Sequence, residues 1–88
     1  MRDFTIDLMA LPDGMYNAVL LGCGDGACPQ TFSVSGDVIF ERLQWVFGFT
    51  QEKLDRIKER ISSDTERTTE IPVKATIQLL QIFGFEPV

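Results

Sequence analysis

The residues of this chain whose types and spacing could support chemistry are concentrated in one segment, Gly22 to Gln30, which reads GCGDGACPQ. The segment contains both cysteines, three of the seven glycines and one aspartate. This composition is compatible with a metal knuckle, a redox-active thiol pair, a phosphate-binding loop or a long turn. The spacing of the residues and the charges around them distinguish between these four possibilities.

The two thiols, Cys23 and Cys28, stand without the companions that thiol chemistry requires. A structural zinc site takes four ligands, and the chain has no histidine and only Asp25 beside the cysteines. A dimer would bring four thiols together. Activation of a thiol needs a nearby positive charge, yet the sequence has no lysine or arginine between Arg2 and Arg42. A thiol- or metal-dependent function using Cys23 and Cys28 is kept as the alternative hypothesis, and the sequence predicts no cofactor.

The glycines of the segment, Gly22, Gly24 and Gly26, do not match a nucleotide-binding loop. The phosphate-binding loop ends in Lys-Ser/Thr, and the dinucleotide fingerprint opens directly into a helix. Here the glycines are followed by Ala-Cys-Pro, and Asp25 would repel an anion. We therefore predict that these glycines occupy turn positions with positive φ, which residues with a Cβ rarely adopt.

The charge balance and the lack of histidine argue against two further classes of function. Without histidine, acid-base catalysis would fall to carboxylates or thiols, and the acidic residues lie mostly in predicted turns or exposed positions, so we predict that the chain is not an enzyme. The net charge of -5 disfavours general binding to nucleic acid. Lys53, Arg56 and Arg60 share one side of a predicted helix, and we interpret them as a solvated face.

Hydrophobic periodicity predicts an N-terminal β-hairpin. Residues 2–11 alternate between apolar and polar side chains, Pro12 to Gly14 form a turn signal, and Tyr16 to Leu21 form the returning strand. Residues 22–36 are predicted to be a loop with a short extended piece at Thr31 to Val34.

Three helices are predicted to follow the hairpin. The first begins at Asp37, with Ser35 or Asp37 as its cap, and ends at Gly48; the second begins after Thr50. A short strand is predicted at Thr68 to Ile71, and a third helix runs from Pro72 to Gly84, followed by a possible last strand at Phe85 to Val88. The apolar faces predicted for the three helices comprise Ile39, Leu43, Val46 and Phe47; Leu54, Ile57 and Ile61; and Val73, Ile77, Leu80 and Phe83.

These elements predict an α+β fold in which an antiparallel or mixed sheet is covered by helices on one face. A chain of 88 residues cannot build two adequate cores, so residues 1–88 form a single domain. Its apolar runs fall far short of the ~20 residues that span a bilayer. Asp7 interrupts the stretch that a signal peptide would need, and we predict a cytoplasmic protein.

Residues 37–57 and 72–88 resemble the ribosomal stalk protein's C-terminal domain in their order of helix, Gly-hydrophobic turn, helix, strand and helix. The Clp protease adaptor for N-degron substrates shares that layout, and Tyr16 to Leu21 looks like the first strand of either family. The chain carries Glu41 and Gln44 where the stalk family has basic docking residues. It also lacks the histidine with which the Clp adaptor grips an N-terminal amine, so only Asp25 matches that site.

The first predicted helix is apolar on nearly all sides, and this indicates protein recognition. Phe40 and Trp45 lie off its core stripe, so either at least one of them faces outwards or the hairpin and the other helices cover the whole helix. Exposed aromatic side chains are the usual anchors of interfaces. We predict a non-enzymatic adaptor or inhibitor that binds another protein through residues 22–36 and the adjoining helix surface. The predicted contact residues are Gly24, Asp25, Gly26, Phe40 and Trp45.

The acidic N-terminal third favours a partner with a basic surface, because opposite charges steer association. A small acidic inhibitor of a nucleic-acid-processing complex, of the kind that phages encode, is one version of this hypothesis. Homodimerisation through the aromatic helix or through the outer strand is the plainest version of it.

Overall fold

The computed structural model describes residues 2–22, 30–63 and 68–85. These residues form an α+β domain, and both the fold class and the N-terminal hairpin predicted from the sequence are confirmed. The described elements, in chain order, are β1 (Arg2–Ala10), β2 (Met15–Leu21), β3 (Gln30–Ser35), α1 (Gly36–Phe47), α2 (Gln51–Ser63), β4 (Thr69–Ala75) and α3 (Ile77–Phe83).

The four strands form one antiparallel sheet in the order β3-β2-β1-β4. The two strands of the hairpin therefore occupy the centre of the sheet, and β3 and β4 form its edges. The extended piece predicted at residues 31–34 is the longer strand β3, in which Phe32 pairs with Ala18 and Val34 pairs with Tyr16. With β3, the sheet has one strand more than the predicted hairpin and the predicted short strand at 68–71 would form together.

The last strand extends past Pro72, where the sequence pattern predicted the start of a helix. Ile71, Val73 and Ala75 are buried while the residues between them are exposed, which is the period of a strand with one buried face. Pro72 is tolerated because β4 is an edge strand, where a missing backbone N–H need not break a ladder. The prediction that Val73 lies on a helix was therefore wrong.

Helix α3 begins instead after Thr76, whose hydroxyl accepts a hydrogen bond of 3.2 Å from the backbone N–H of Leu79. The later start makes Ile77 the first residue of the helix. Ile77, which was predicted to face inwards, is 50% exposed, whereas Leu80 and Phe83 are buried as predicted.

The hydrophobic core lies between one face of the sheet and the helices. Every second residue of a strand points to this face of the sheet, where it packs against buried residues of the three helices. The predicted stripe of α2 is confirmed. The buried residues of this cluster are Phe4, Ile6, Leu8, Ala18, Leu20, Ile39, Phe40, Leu43, Phe49, Leu54, Ile57, Ile61, Ile71, Val73, Ala75, Leu80, Phe83 and Phe85.

Glycine ends α1 at the predicted position. Gly48 adopts a left-handed conformation with φ 70° and ψ 28°, and its N–H donates to carbonyls of the last turn. Thr50 then caps α2 by accepting a hydrogen bond of 3.2 Å from the N–H of Lys53, as predicted. Ser35 holds the N-cap position of α1, although its side chain makes no capping hydrogen bond.

Candidate protein-interaction surface

Helix α1 presents one face to the core and the opposite face to solvent. Its buried residues are Ile39, Phe40 and Leu43. Phe40 is only 8% exposed, and its ring meets the ring of Tyr16 edge-on at a centroid distance of 5.3 Å. The structure thus places most of Phe40 in the core, and the small exposed part of its ring lines a surface groove between α1 and α2.

Trp45 lies on the opposite face of α1 and is 79% exposed. Asp37 and Glu41 precede it at intervals of four residues, so the three side chains follow one line along the helix. Gln44 is also exposed on this side. We call these four residues the α1 stripe. Neither carboxylate forms an ion pair with another residue of the described ranges, so both remain available to a partner.

The position of α1 is fixed by its contact with the end of α3. The Arg42 guanidinium donates a hydrogen bond of 2.9 Å from Nη1 to the carbonyl oxygen of Phe83. The rings of Phe47 and Phe83 lie 5.1 Å apart between centroids. Because Trp45 follows Arg42 by three residues, it lies on the turn that this hydrogen bond holds in place.

Further exposed apolar residues lie on α3 and none of those described lies on α2. Ile82 is 67% exposed and directly precedes Phe83, the acceptor of the Arg42 hydrogen bond. With Ile77 and Trp45, it completes the set of large exposed hydrophobic residues in the part of the chain that the structure describes. Sequence reasoning missed Ile82. Its position off the predicted Leu80 and Phe83 face was the available signal.

A groove of about 540 Å³ runs between α1 and α2 beside the α1 stripe. Asp37 and Glu41 lie on its α1 side, and Lys58 lies on its α2 side with its ammonium 4.9 Å from the centroid of the Phe40 ring. The acidic part of the α1 stripe therefore borders a recess that is wide enough to take a side chain.

A larger groove of about 920 Å³ lies between α2 and β4, away from the α1 stripe. Three basic side chains and three acidic ones line it, so it has no net charge to select a ligand. Arg56 is paired with Glu52 at 2.7 Å, and the Lys53 ammonium lies 4.1 Å from the Phe49 ring centroid. The charged residues of this lining are Lys53, Arg56, Arg60, Glu52, Glu59 and Glu70.

The sheet face opposite the helices carries a carboxylate in an unfavourable position. Asp7 stands between Val19 on β2 and Glu70 on β4, and its Oδ1 atom is buried without a hydrogen-bond partner among the described residues. The pKa of Asp7 is raised above its ordinary value, mainly by burial and to a smaller extent by repulsion from the Glu70 carboxylate.

Replacing Asp7 by asparagine is expected to raise the free energy of unfolding at neutral pH by about 0.5–1 kcal/mol, because it removes one of two like charges from opposite strand positions. A raised folded-state pKa means that the native protein binds the proton first as the pH falls. As the pH falls from the folded-state pKa of Asp7 to its unfolded-state pKa, the free energy of unfolding of the wild type rises. The difference in stability between the Asp7→Asn variant and the wild type therefore shrinks as the pH approaches roughly 4.

Urea unfolding of both proteins at neutral and acidic pH measures this difference. Asp3→Asn is the matched control on the same strand, because Asp3 is exposed and stands opposite Lys74 instead of an acid. Neutralising Asp3 should not stabilise the protein. A stability difference for Asp7→Asn that stays constant with pH would contradict the assignment.

Most of the glycine- and cysteine-rich segment, residues 23–29, lies outside the described residues. Gly24, Asp25, Gly26, Cys23 and Cys28 all lie there, so their predicted roles stay predictions. Its first residue, Gly22, is described and has the positive φ that was predicted for the glycines, 87°. Within the described ranges, no three metal-ligating side chains come together.

The described helices are all too short and insufficiently apolar to span a membrane. In comparisons with known proteins, the chain matches no protein-family model, no curated protein and no solved structure. Among the described residues, the α1 stripe combines an exposed indole, two carboxylates and a helical turn that the Arg42 hydrogen bond holds in place.

Proposed function

We propose that this chain is a non-enzymatic protein-binding module, acting as an adaptor or inhibitor, and that it contacts its partner through the α1 stripe. The observation that carries the proposal is the exposure of Trp45 on a helix whose Phe40 is buried. Tryptophan is among the residues most often found to dominate binding energy when a partner buries it.

The size of the indole makes it an effective anchor. A tryptophan side chain buries roughly 150–250 Å² in a well-packed contact. At ~25 cal/mol per Å² this area contributes about 4–6 kcal/mol before the costs of association are subtracted. The Arg42 hydrogen bond supports this role, since it fixes the turn that carries Trp45 and reduces the ordering that binding requires.

The acidic residues of the stripe support a partner with a basic surface. Asp37 and Glu41 lead along the helix to Trp45, and the whole chain carries a net charge of -5. A complementary partner would present an apolar pocket flanked by lysine or arginine. Proteins that process nucleic acid commonly carry such basic faces, so inhibition of a nucleic-acid-processing complex is one form of the proposed function.

Replacing Trp45 by alanine is expected to weaken partner binding about 30-fold or more, which corresponds to ~2 kcal/mol. The partner is first identified by introducing a photo-cross-linking amino acid at Gln44 in the source cells. Its affinity for each variant is then measured by calorimetry. Because the chain has a single tryptophan, the fluorescence of the wild type also reports directly whether Trp45 becomes buried.

Gln78→Ala is the control, since Gln78 is exposed on α3 and lies outside the α1 stripe. It should bind with nearly wild-type affinity, and both variants should melt like the wild type. Glu41→Gln should chiefly slow association at low salt. Equal affinity of wild type and Trp45→Ala, together with unchanged fluorescence on binding, would refute the proposed surface.

A further inference from the structure

The two edges of the sheet differ in how well they are protected against pairing with another strand. Strand β4 carries Pro72, which lacks an N–H, and the charged residues Glu70 and Lys74, which are devices that discourage edge pairing. Strand β3 reads Gln-Thr-Phe-Ser-Val-Ser and contains neither proline nor charge. Of the two edges, only that of β3 lacks these protective features.

The outer edge of β3 is open in the described structure. Strand β2 is the one strand with which β3 pairs. No residue from 30 to 35 makes a backbone hydrogen bond outside that ladder to any other described part of the chain. In an antiparallel strand with one neighbour, about half of the backbone N–H and C=O groups point away from that neighbour. Those of β3 are left for an added strand.

The side chains of β3 also leave apolar surface at this edge. Phe32 and Val34 belong to the core side of the sheet but are only partly buried. On the opposite side, the hydroxyls of Thr31 and Ser33 donate hydrogen bonds to the Asn17 side-chain oxygen at 3.1 and 3.2 Å. These bonds add to the backbone ladder that ties β3 to β2.

We propose that two copies of this chain associate by antiparallel pairing of their β3 edges, which joins the two sheets into one. A second copy is the occupant that the strand itself fits, because β3 carries no charge and its apolar residues can lie opposite those of an identical strand. The net charge of -5 repels two copies elsewhere and confines their approach to this uncharged edge. This surface is separate from the α1 stripe, so the inference does not depend on the proposed function.

The pleat of the strand restricts the register of this pair. Directly opposite residues in an antiparallel pair point to the same face of the sheet. The two helix layers therefore lie on the same side only in registers centred on a residue, and those centred on Phe32 or on Ser33 pair the longest part of the two strands. In the first register Phe32 meets its own copy, and in the second it meets Val34 of the other chain. Either register places apolar side chains together and brings no like charges into opposition.

Sedimentation equilibrium of the wild type tests the association directly. The contact between six-residue strands is small, and we expect a dissociation constant on the order of 10–100 µM, typical of weak complexes. The 9.9 kDa monomer should therefore convert to a dimer as the concentration rises through this range. Amide exchange measured by NMR should slow at residues 30–35 with increasing concentration, while exchange at residues 69–75 should not change.

Ser33→Lys should weaken the dimer at least tenfold, because it places an ammonium at the edge of each strand. The variant lowers the net charge of each chain from -5 to -4, so general electrostatics alone would favour association. Ser62→Lys on the exposed side of α2 makes the same charge change and should leave the dimer intact or slightly strengthen it.

A wild type that stays monomeric to 1 mM would overturn the proposal, and the edge would then be a candidate for pairing with a different chain. A dimer that Ser33→Lys leaves unchanged, or one that protects the amides of β4, would overturn it as well. The exchange experiment uses the wild type alone, so a failure of the variant to fold does not affect it.

Discussion

Replacing Phe83 by alanine is expected to lower the free energy of unfolding by about 3–5 kcal/mol, the range found when buried phenylalanines are truncated. Phe83 is fully buried on α3. Its ring lies 5.1 Å from that of Phe47, 5.6 Å from that of Phe32 and 5.6 Å from that of Phe85. Alanine removes all three aromatic contacts and leaves a cavity that the surrounding helices cannot fully close.

Thermal unfolding followed by circular dichroism measures this loss, which corresponds to a fall in Tm of about 15–25 °C for a domain of this size. Ile82→Ala is the matched control, because Ile82 is the preceding residue on the same helix and is 67% exposed. It should change the stability by less than ~0.5 kcal/mol. Similar losses for the two variants would contradict the assignment of Phe83 to the core.

Replacing Gly84 by alanine is expected to lower the free energy of unfolding by about 2–4 kcal/mol through two effects. Gly84 has a φ of 139°, a conformation that residues with a Cβ rarely adopt, and this strain costs ~1–3 kcal/mol. A Cβ at this position would also lie 2.9 Å from Cζ of Phe32 and 3.0 Å from Nη1 of Arg42. Relief of the clash would displace the Phe32 ring, since Phe32 is packed against Phe83 and Phe85.

Gly48→Ala separates the two effects, because Gly48 also has a positive φ, 70°, but no atom lies within 4 Å of its added Cβ. Only the conformational strain applies there, and we expect a loss of about 1 kcal/mol. Chemical denaturation of both variants gives the comparison. If Gly84→Ala costs no more than Gly48→Ala, the contact with Phe32 and Arg42 is not as tight as the structure shows.

These two predictions concern the support of the α1 stripe as well as stability. Phe83 provides both the ring that packs against Phe47 and the carbonyl that accepts the Arg42 hydrogen bond. Gly84 keeps the Arg42 side chain in place by leaving room for it. The turn that carries Trp45 therefore depends on the end of α3. A variant that disturbs this contact should therefore weaken partner binding even where the protein stays folded, because Trp45 is then held less firmly.

Local patterns were sufficient to predict the hairpin and the first two helices. Alternation in residues 2–11, the Pro12 to Gly14 turn and the spacing of Leu54, Ile57 and Ile61 each report which side of an element is buried. Such signals are local because they depend on the period of the element itself. Gly48 was likewise recognisable as the end of α1 because glycine is the residue that most readily adopts the left-handed conformation found there.

The boundary between β4 and α3 could not be predicted in this way. Pro72 suits either the first turn of a helix or an edge strand, and the choice depends on the position of β4 in the sheet. That position is set by the pairing of β4 with β1, a strand far away in sequence. The helix consequently begins at Ile77, which is half exposed instead of facing inwards. Strand β3 was likewise underestimated because its pairing with β2 supplies much of its stability.

The sequence by itself determined that this chain is a small acidic α+β domain whose first helix is apolar on nearly all sides. It could not determine which side is covered, because both Phe40 and Trp45 lie off the predicted stripe and a helix has no preferred rotation of its own. The tertiary structure made that choice by packing Tyr16 against Phe40 and tying Arg42 to Phe83. Those contacts turn the indole of Trp45 outwards.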